Sequence, residues 1–235
     1  MTNILAIDTS TDACSVALYR DGQYKELNEV IPRQHNQRIF SMLGELLPTG
    51  NLVEQGIDAI AYTHGPGSFT GLRIAASAVQ GLAFANKLPA IPISTLACQA
   101  QTALRSSVVD QGDTVLSMLD ARINEVYWAL FNFQDALATP VQGPVVCNPE
   151  NVDFELPQLR LQGVGGGFCY RDSLPESIAS ALDGVTEKLL PSARDLIPLA
   201  LAQYSKGNFQ SAVDVRPLYV REEISWKKLS EQGKQ

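Results

Sequence analysis

The sequence predicts an α/β protein made of two related halves, and three observations carry that reading. An apolar run from Ala59 to Thr63, bounded by Gly and Pro, enters an Ala-rich periodic segment that ends near Asn86, which reads as strand, glycine loop and helix. The N-terminal third sets three strand-like segments ahead of alternating helix and strand. Leu119 to Phe131 then echoes Ile7 to Tyr19: Asp120 stands under Asp8, Ala129 under Ala17, Leu130 under Leu18 and Phe131 under Tyr19, at a constant offset of 112 residues. Identical order of strand, acidic turn and strand around an aspartate points to an internal duplication.

In chain order, Ile4 to Asp8 is an apolar strand ending in Asp-Thr-Ser-Thr-Asp. Cys14 to Tyr19 resumes as a second strand, and Asp21-Gly22 turns into a third near Tyr24 to Val30. Beyond Pro32, Ile39, Phe40, Leu43, Leu46 and Leu47 recur at helical spacing from His35 to Leu47, and Pro48 to Gly50 ends that helix. Met42 and Ile39 sit beside Arg38 and Glu45, so part of its outer face is expected to take up a partner. The helix after the glycine loop begins near Gly71, with Ser68 or Thr70 as its cap. At about 100° per residue, Leu72, Ala76, Val79, Leu82 and Ala83 share one face, and Ile74, Ala78, Gly81 and Ala85 share the opposite one. A helix apolar on two opposed faces is buried on both, and small residues on the second let another helix axis come close. Either this domain or a partner protein covers that second face. A strand at Ala90 to Ile93 and a helix from Thr95 to about Ser106 complete a first lobe, 1–106, and 107–235 forms the second.

In the second lobe, Pro- and Gly-rich stretches (Thr139 to Pro149, Glu155 to Pro157) read as loops, and Leu159 to Val164 as a strand entering Gly165-Gly166-Gly167. Ser192 to Tyr204 reads as a helix closing on the first lobe, with Ser192 as cap, Asp195 as box partner and Pro198 as a kink. The tail, Pro217 to Arg221 and Trp226-Lys227-Lys228, is expected to be polar and mobile at its end.

Composition narrows the function classes. Hydrophobic residues at 45% against 18% charged supply a sizeable core, and no apolar run approaches the roughly 20 residues that span a bilayer. The N-terminus has no basic region before its apolar stretch, so a cytoplasmic protein is expected. Cys14, Cys98, Cys147 and Cys169 are scattered without a CxxC pair, which suggests neither a zinc site nor a disulfide framework. A net charge of −7 argues against unaided nucleic-acid binding, because phosphate contacts need clustered Lys and Arg. Any nucleic-acid role would therefore need a partner.

Asp8 and Asp120, after equivalent strands, could face each other across a cleft and hold a phosphate with its magnesium, or each could cap its own turn. Ser10 and the loop amides near Gly65 and Gly67 are candidate anion contacts at a helix start. Gly163 to Gly167 could border an adenosine, though a flexible turn accounts for it as well. The two histidines, His35 and His64, have no His, Cys or carboxylate at helical ligand spacing, and no GxSxG elbow is present.

These residues in combination resemble the bacterial TsaB (YeaZ) family: Ile-Leu-Ala-Ile-Asp-Thr-Ser-Thr at 4–11, Pro-Arg-Gln-His at 32–35, Gly-Pro-Gly-Ser-Phe-Thr-Gly-Leu-Arg at 65–73, Asp-Ala-Arg-Ile-Asn-Glu-Val-Tyr-Trp-Ala at 120–129, and Tyr-Val-Arg at 219–221. The resemblance implies a two-lobed fold of the actin, sugar kinase and Hsp70 (ASKHA) type with RNase H-like lobes, the second reduced. It implies a non-catalytic subunit in the formation of tRNA N6-threonylcarbamoyladenosine, working with the metal-dependent paralogue TsaD and, through the complex, with the ATPase TsaE. In that paralogue a His-x-x-x-His segment holds the metal, whereas the corresponding stretch here is Ser94-Thr95-Leu96-Ala97-Cys98-Gln99, without either histidine. No cofactor is expected in the isolated chain, and ATP or ADP only at the partner interface. Family dimers, with a second copy or with TsaD, are built from the first two helices. Here that places the interface on Ile39, Met42, Ile74, Ala78, Gly81 and Ala85. An ATP-dependent phosphotransferase using Asp8 or Asp120, and a peptidase acting on its partner, are the alternatives.

Overall fold

The computed structural model of the chain describes residues 1–47 and 51–220. Its first half contains β1 (Ile4–Asp8), β2 (Ala13–Arg20), β3 (Gln23–Val30), α1 (His35–Leu46), β4 (Ala59–Gly65), α2 (Phe69–Asn86), β5 (Ala90–Ser94) and α3 (Thr95–Arg105). The second contains β6 (Thr114–Arg122), β7 (Glu125–Gln134), β8 (Leu137–Cys147), β9 (Leu161–Val164), α4 (Glu176–Ala181), β10 (Leu182–Thr186) and α5 (Ala193–Ser205), with short 3₁₀ turns at Pro149–Asn151, Gly166–Ser173 and Ala212–Asp214. No helix among the described residues is long and apolar enough to cross a membrane.

The duplication is visible in the sheets. The first runs β3-β2-β1-β4-β5 and the second β8-β7-β6-β9-β10. In each, three antiparallel strands are followed by two parallel ones, so β6 stands where β1 does. This is the two-lobed α/β architecture expected. Both faces of β1 are buried, which is why Ile4, Leu5, Ala6 and Ile7 form an unbroken apolar run rather than an alternating one. Ile4 and Ala6 belong to a core shared by both halves, and Leu5 and Ile7 to a separate core under α1 and α2.

The shared core lies between the sheets and is built around α3 and α5. The two helices are exchanged: α5 packs on the first sheet, through β1, β2 and β5, while α3 packs on β6, β7 and β8. Polar contacts fix the exchange. Arg105 on α3 donates from Nε and an Nη to the Asp195 carboxylate on α5 at 2.6 and 2.9 Å, and the Ala193 amide donates to Ser15 Oγ at 2.8 Å. Asp195 is buried, so losing its guanidinium partner would strand a charge at a cost of about 3–5 kcal/mol. Asp195 is thus an ion-pair partner and not the box partner of Ser192, which caps α5 by accepting from the Arg194 amide at 3.3 Å. Helix α5 continues through Pro198 as one element.

Two further expectations are corrected here. The Thr139 to Pro149 stretch is largely the edge strand β8, which pairs on one side with β7 and so accommodates Pro140 and Pro144. Helix α2 begins two residues earlier than Gly71, because Ser68 is the cap and the helix starts directly after it.

Candidate functional site

At the end of β1 the Asp8 carboxyl is fully buried. Its Oδ1 accepts from the Ser10 amide at 2.8 Å, the Ser10 hydroxyl at 2.6 Å and the Thr63 hydroxyl at 2.6 Å, while Oδ2 is buried without a partner. Burial pushes its pKa up, outweighing those three bonds. The glycine loop lies directly on this turn: the Ser68 amide donates to the Ser10 carbonyl at 2.8 Å, and the Thr9 hydroxyl donates to the Gly71 carbonyl at 2.7 Å. A Cβ on Gly67 would stand 2.5 Å from the Ser10 carbonyl oxygen, and one on Gly71 would overlap that of Thr9. These glycines let backbone meet backbone. Asp8, Ser10 and Gly67 are therefore brought together but face one another. A nucleotide phosphate with magnesium needs carboxylate oxygens that a ligand can reach, and this turn does not fit one.

Asp120, two residues before the end of β6, stands in the equivalent position. Its Oδ1 accepts from the amide two residues on, Arg122, at 2.7 Å, as Asp8 does from Ser10, but its Oδ2 is open and pairs with the Arg122 guanidinium at 2.9 Å. Of the glycines at 163–167, three are packed and Gly166 is open. A Cβ on Gly163 would run into the Phe168 ring, one on Gly165 into the Met118 carbonyl, and one on Gly167 would lie 2.7 Å from Met118 Cβ. Gln99 beside them is fixed by accepting from Ser117 Oγ at 2.7 Å and donating to the Leu189 carbonyl at 2.8 Å. His35 contacts the Ala13 carbonyl at 3.2 Å at the start of α1. Burial lowers the pKa of His64, so its stability contribution is present above the ordinary imidazole value and lost as pH falls through the lowered one. Among the described residues no group of three or more His, Cys, Asp or Glu is placed to hold a metal ion. Ser94 caps α3, accepting from the Ala97 amide, and the buried Cys98 thiol donates to the Ser192 carbonyl at 3.2 Å.

The second place is the outer surface of α1 and α2. Between these helices runs a groove of about 430 Å³ lined by Ile39, Phe40, Phe69, Arg73, Ile74 and Ala78 among others. Two aromatic side chains stand out from it, Phe40 at 62% exposed and Phe69 at 51%, and Phe84, farther along α2, is 71% exposed. Of the residues on the second face of α2, Gly81 and Ala85 are exposed, Ile74 is half-buried and Ala78 is in the groove wall. A Cβ added to Gly81 would meet nothing within 4 Å. On α1 the expectation is corrected. Ile39 and Met42 are buried in the core between the helices and the sheet, Ile39 bordering the groove only from within that core, and Met42 Sδ lies 3.7 Å from Cys14 Sγ. Phe40, expected in the inward stripe, is the residue turned outward. A helix stripe read from spacing alone does not say which edge of it meets the sheet.

The C-terminal segment is docked as far as it is described. Gln210 and Ala90 exchange backbone hydrogen bonds at 2.9 Å, Val215 is buried in the α1–α2 core, and the Leu218 amide donates to the His64 carbonyl at 2.6 Å. A Cβ on Gly65, at φ +137°, would stand 2.6 Å from the Leu218 carbonyl oxygen, so this glycine serves the docked segment. Arg221 and Trp226-Lys227-Lys228 lie outside the described residues, as do Pro48 to Gly50.

Comparison with known proteins follows the same outline. The family model for TsaD, tRNA N6-adenosine threonylcarbamoyltransferase, matches residues 25–164. The tRNA threonylcarbamoyladenosine biosynthesis protein TsaB of Escherichia coli is 40% identical, covering 96% of this chain and 97% of its own length, and that of Haemophilus influenzae 36%, covering 96% of each. The solved structure of YeaZ from Pseudomonas aeruginosa superposes with a TM-score of 0.84 at 38% identity, covering 93% of this chain and all of that one. A tRNA N6-adenosine threonylcarbamoyltransferase of Staphylococcus haemolyticus is 36% identical over 41% of this chain and 33% of its own.

Proposed function

Because the chain belongs to the TsaB family of tRNA threonylcarbamoyladenosine biosynthesis proteins, we propose that it is the non-catalytic partner subunit of a threonylcarbamoyl transferase, binding the TsaD-type paralogue through the outer face of α1 and α2. The observation that carries this reading is that face, with Phe40 and Phe69 exposed at its groove, Phe84 exposed farther along α2, and Gly81 and Ala85 left open on the second side of that helix. Exposed aromatic side chains on one helix pair mark an interaction surface. The kinship with the transferase supports the choice of partner, since a related lobe presents a related helix pair, and two such pairs can meet in a pseudo-symmetric bundle. The same surface joins two copies when the paralogue is absent.

The residues at the ends of β1 and β5 fit this role. Asp8 is walled off, and in the stretch Ser94 to Gln99, which has no histidine, Ser94 caps α3 and the Cys98 thiol is bonded to the Ser192 carbonyl. Catalysis, and any bound ATP or ADP, then belongs to the partner or to the interface with it, with TsaE and tRNA reaching this chain through the complex, in the cytoplasm. The experiment is mass-spectrometric quantification of threonylcarbamoyladenosine in tRNA incubated with threonylcarbamoyl adenylate and this chain, the transferase paralogue, or both. Product only with both supports the reading, and product from this chain alone overturns it.

A further inference from the structure

Arg73 stands apart from the rest of the groove. Among the residues lining it, Arg73 is the one charged side chain, the remainder being apolar or neutral polar. Its guanidinium carbon lies 3.8 Å from the centroid of the Phe69 ring, and its Nε donates to the Tyr219 hydroxyl at 3.1 Å. The Tyr219 ring in turn lies against Phe69, with centroids 5.6 Å apart. The guanidinium is thus held over one aromatic ring and tied at its inner nitrogen to the hydroxyl of a second aromatic residue. Tyr219 itself is placed by the docked segment: the Leu218 amide is bonded to the His64 carbonyl, and Gly65 leaves the space that the Leu218 carbonyl fills. Two stretches 146 residues apart in sequence therefore hold one arginine at the rim of the partner face.

Resting on the partner-face reading above, we infer that Arg73 is the polar anchor of this face and receives an Asp or Glu side chain of the partner protein, with Tyr219 as its positioning residue. A guanidinium bonded through Nε keeps its terminal amino groups, the fork that matches a carboxylate, and none of them has a hydrogen-bond partner among the described residues. The aromatic surround excludes water once the partner seats, and a charge pair gains from that exclusion. Charge complementarity selects the occupant: a lone cation among apolar and neutral polar residues on a chain of net charge −7 favours a partner patch that is uncharged around one acidic side chain. Arg73 also fixes register, since only one docking of two helix pairs brings the acid to it.

The test is the affinity of the full-length chain for the transferase paralogue of the same organism, measured by titration calorimetry at low and high salt for wild type, Arg73→Met, Arg73→Lys, Tyr219→Phe and Phe40→Asp. Arg73→Met is expected to weaken binding about 30-fold and to flatten the salt dependence. Lysine should recover only part of the loss, because it lacks the fork. Tyr219→Phe removes only the hydroxyl, leaves the ring on Phe69, and should cost several-fold with a shallower salt slope, which a purely packing role would not change. Arg73→Met binding within twofold of wild type, with wild-type salt dependence, while Phe40→Asp binds poorly, overturns the anchor and leaves the face standing. Wild-type binding by both variants overturns the face as well.

Discussion

The two halves share one sheet plan and differ in what covers its outer side. On the first sheet lie two long helices, α1 of 12 residues and α2 of 18, and their aromatics Phe40, Phe69 and Phe84 point to solvent. On the second lie a 3₁₀ stretch of eight residues and the six-residue α4, and there the aromatics Trp128, Phe154 and Phe168 are turned into the core. The inner faces are alike in being closed by an exchanged helix. Duplication has therefore kept the sheets and the central layer, where the exchanged helices tie the halves together, and left the outer layers free to diverge. One half has made its outer layer a surface, and the other has made it a lid on its own core.

The largest expected effect concerns what the halves still share, the seating of a glycine loop on the end of the central strand. Gly71→Ala and Gly167→Ala should each destabilise by about 3 kcal/mol or more, because the new Cβ meets the Thr9 carbonyl in one case and Met118 and Leu119 in the other. Urea titration checks both, and tolerance of either would break the equivalence of the loops. The outer layers should then part. Phe40→Asp or Phe84→Asp should weaken partner binding about 100-fold with the melting temperature little changed, whereas Ile123→Asp on the second half, though 79% exposed at wild type, should leave binding intact.

A smaller effect separates the two aspartates. The Asp8 pKa is raised by burial, so the stability it contributes is present below the ordinary carboxylate range and lost as pH rises through its raised folded value. Asp8→Asn should accordingly gain on wild type between pH 4 and pH 8 and should still support the modification of tRNA. Asp120→Asn, which breaks an ion pair with an exposed Arg122, should cost no more than about 1 kcal/mol. Denaturant titrations at the two pH values decide this. A loss of stability by Asp8→Asn as pH rises would mean that the carboxylate is needed charged. Smallest of all, Gly81→Ala should stabilise α2 by about 0.5–1 kcal/mol, since its Cβ meets nothing, while Gly81→Leu should fold and bind the partner less well.

Legibility followed the range of the interactions. The duplication could be read because β1–turn–β2 and β6–turn–β7 are local units, and both aspartates make the same bond to the amide two residues on. The Ser68 cap and the small second side of α2 were local too. Three other features rest on distant contacts. Asp195 has a partner 90 residues away in Arg105, and the Tyr219 hydroxyl meets an arginine 146 residues earlier, so neither leaves a spacing to detect. The prolines of β8 look like a loop until its position at the sheet edge is known. Phe40 and Phe84 were missed as surface residues because an aromatic at helical spacing is ordinarily core. The one available signal was that Phe84 falls on the polar flank of α2 with Arg73 and Gln80.

The central claim, that one outer layer meets the partner and the other does not, is tested most directly by amide hydrogen exchange of this chain with and without the transferase paralogue. Slowed exchange is expected along α1 and α2, and unchanged exchange across Gly166–Ser173 and α4. Protection appearing over the second half's outer layer, with α1 and α2 exchanging as in the free chain, would contradict it.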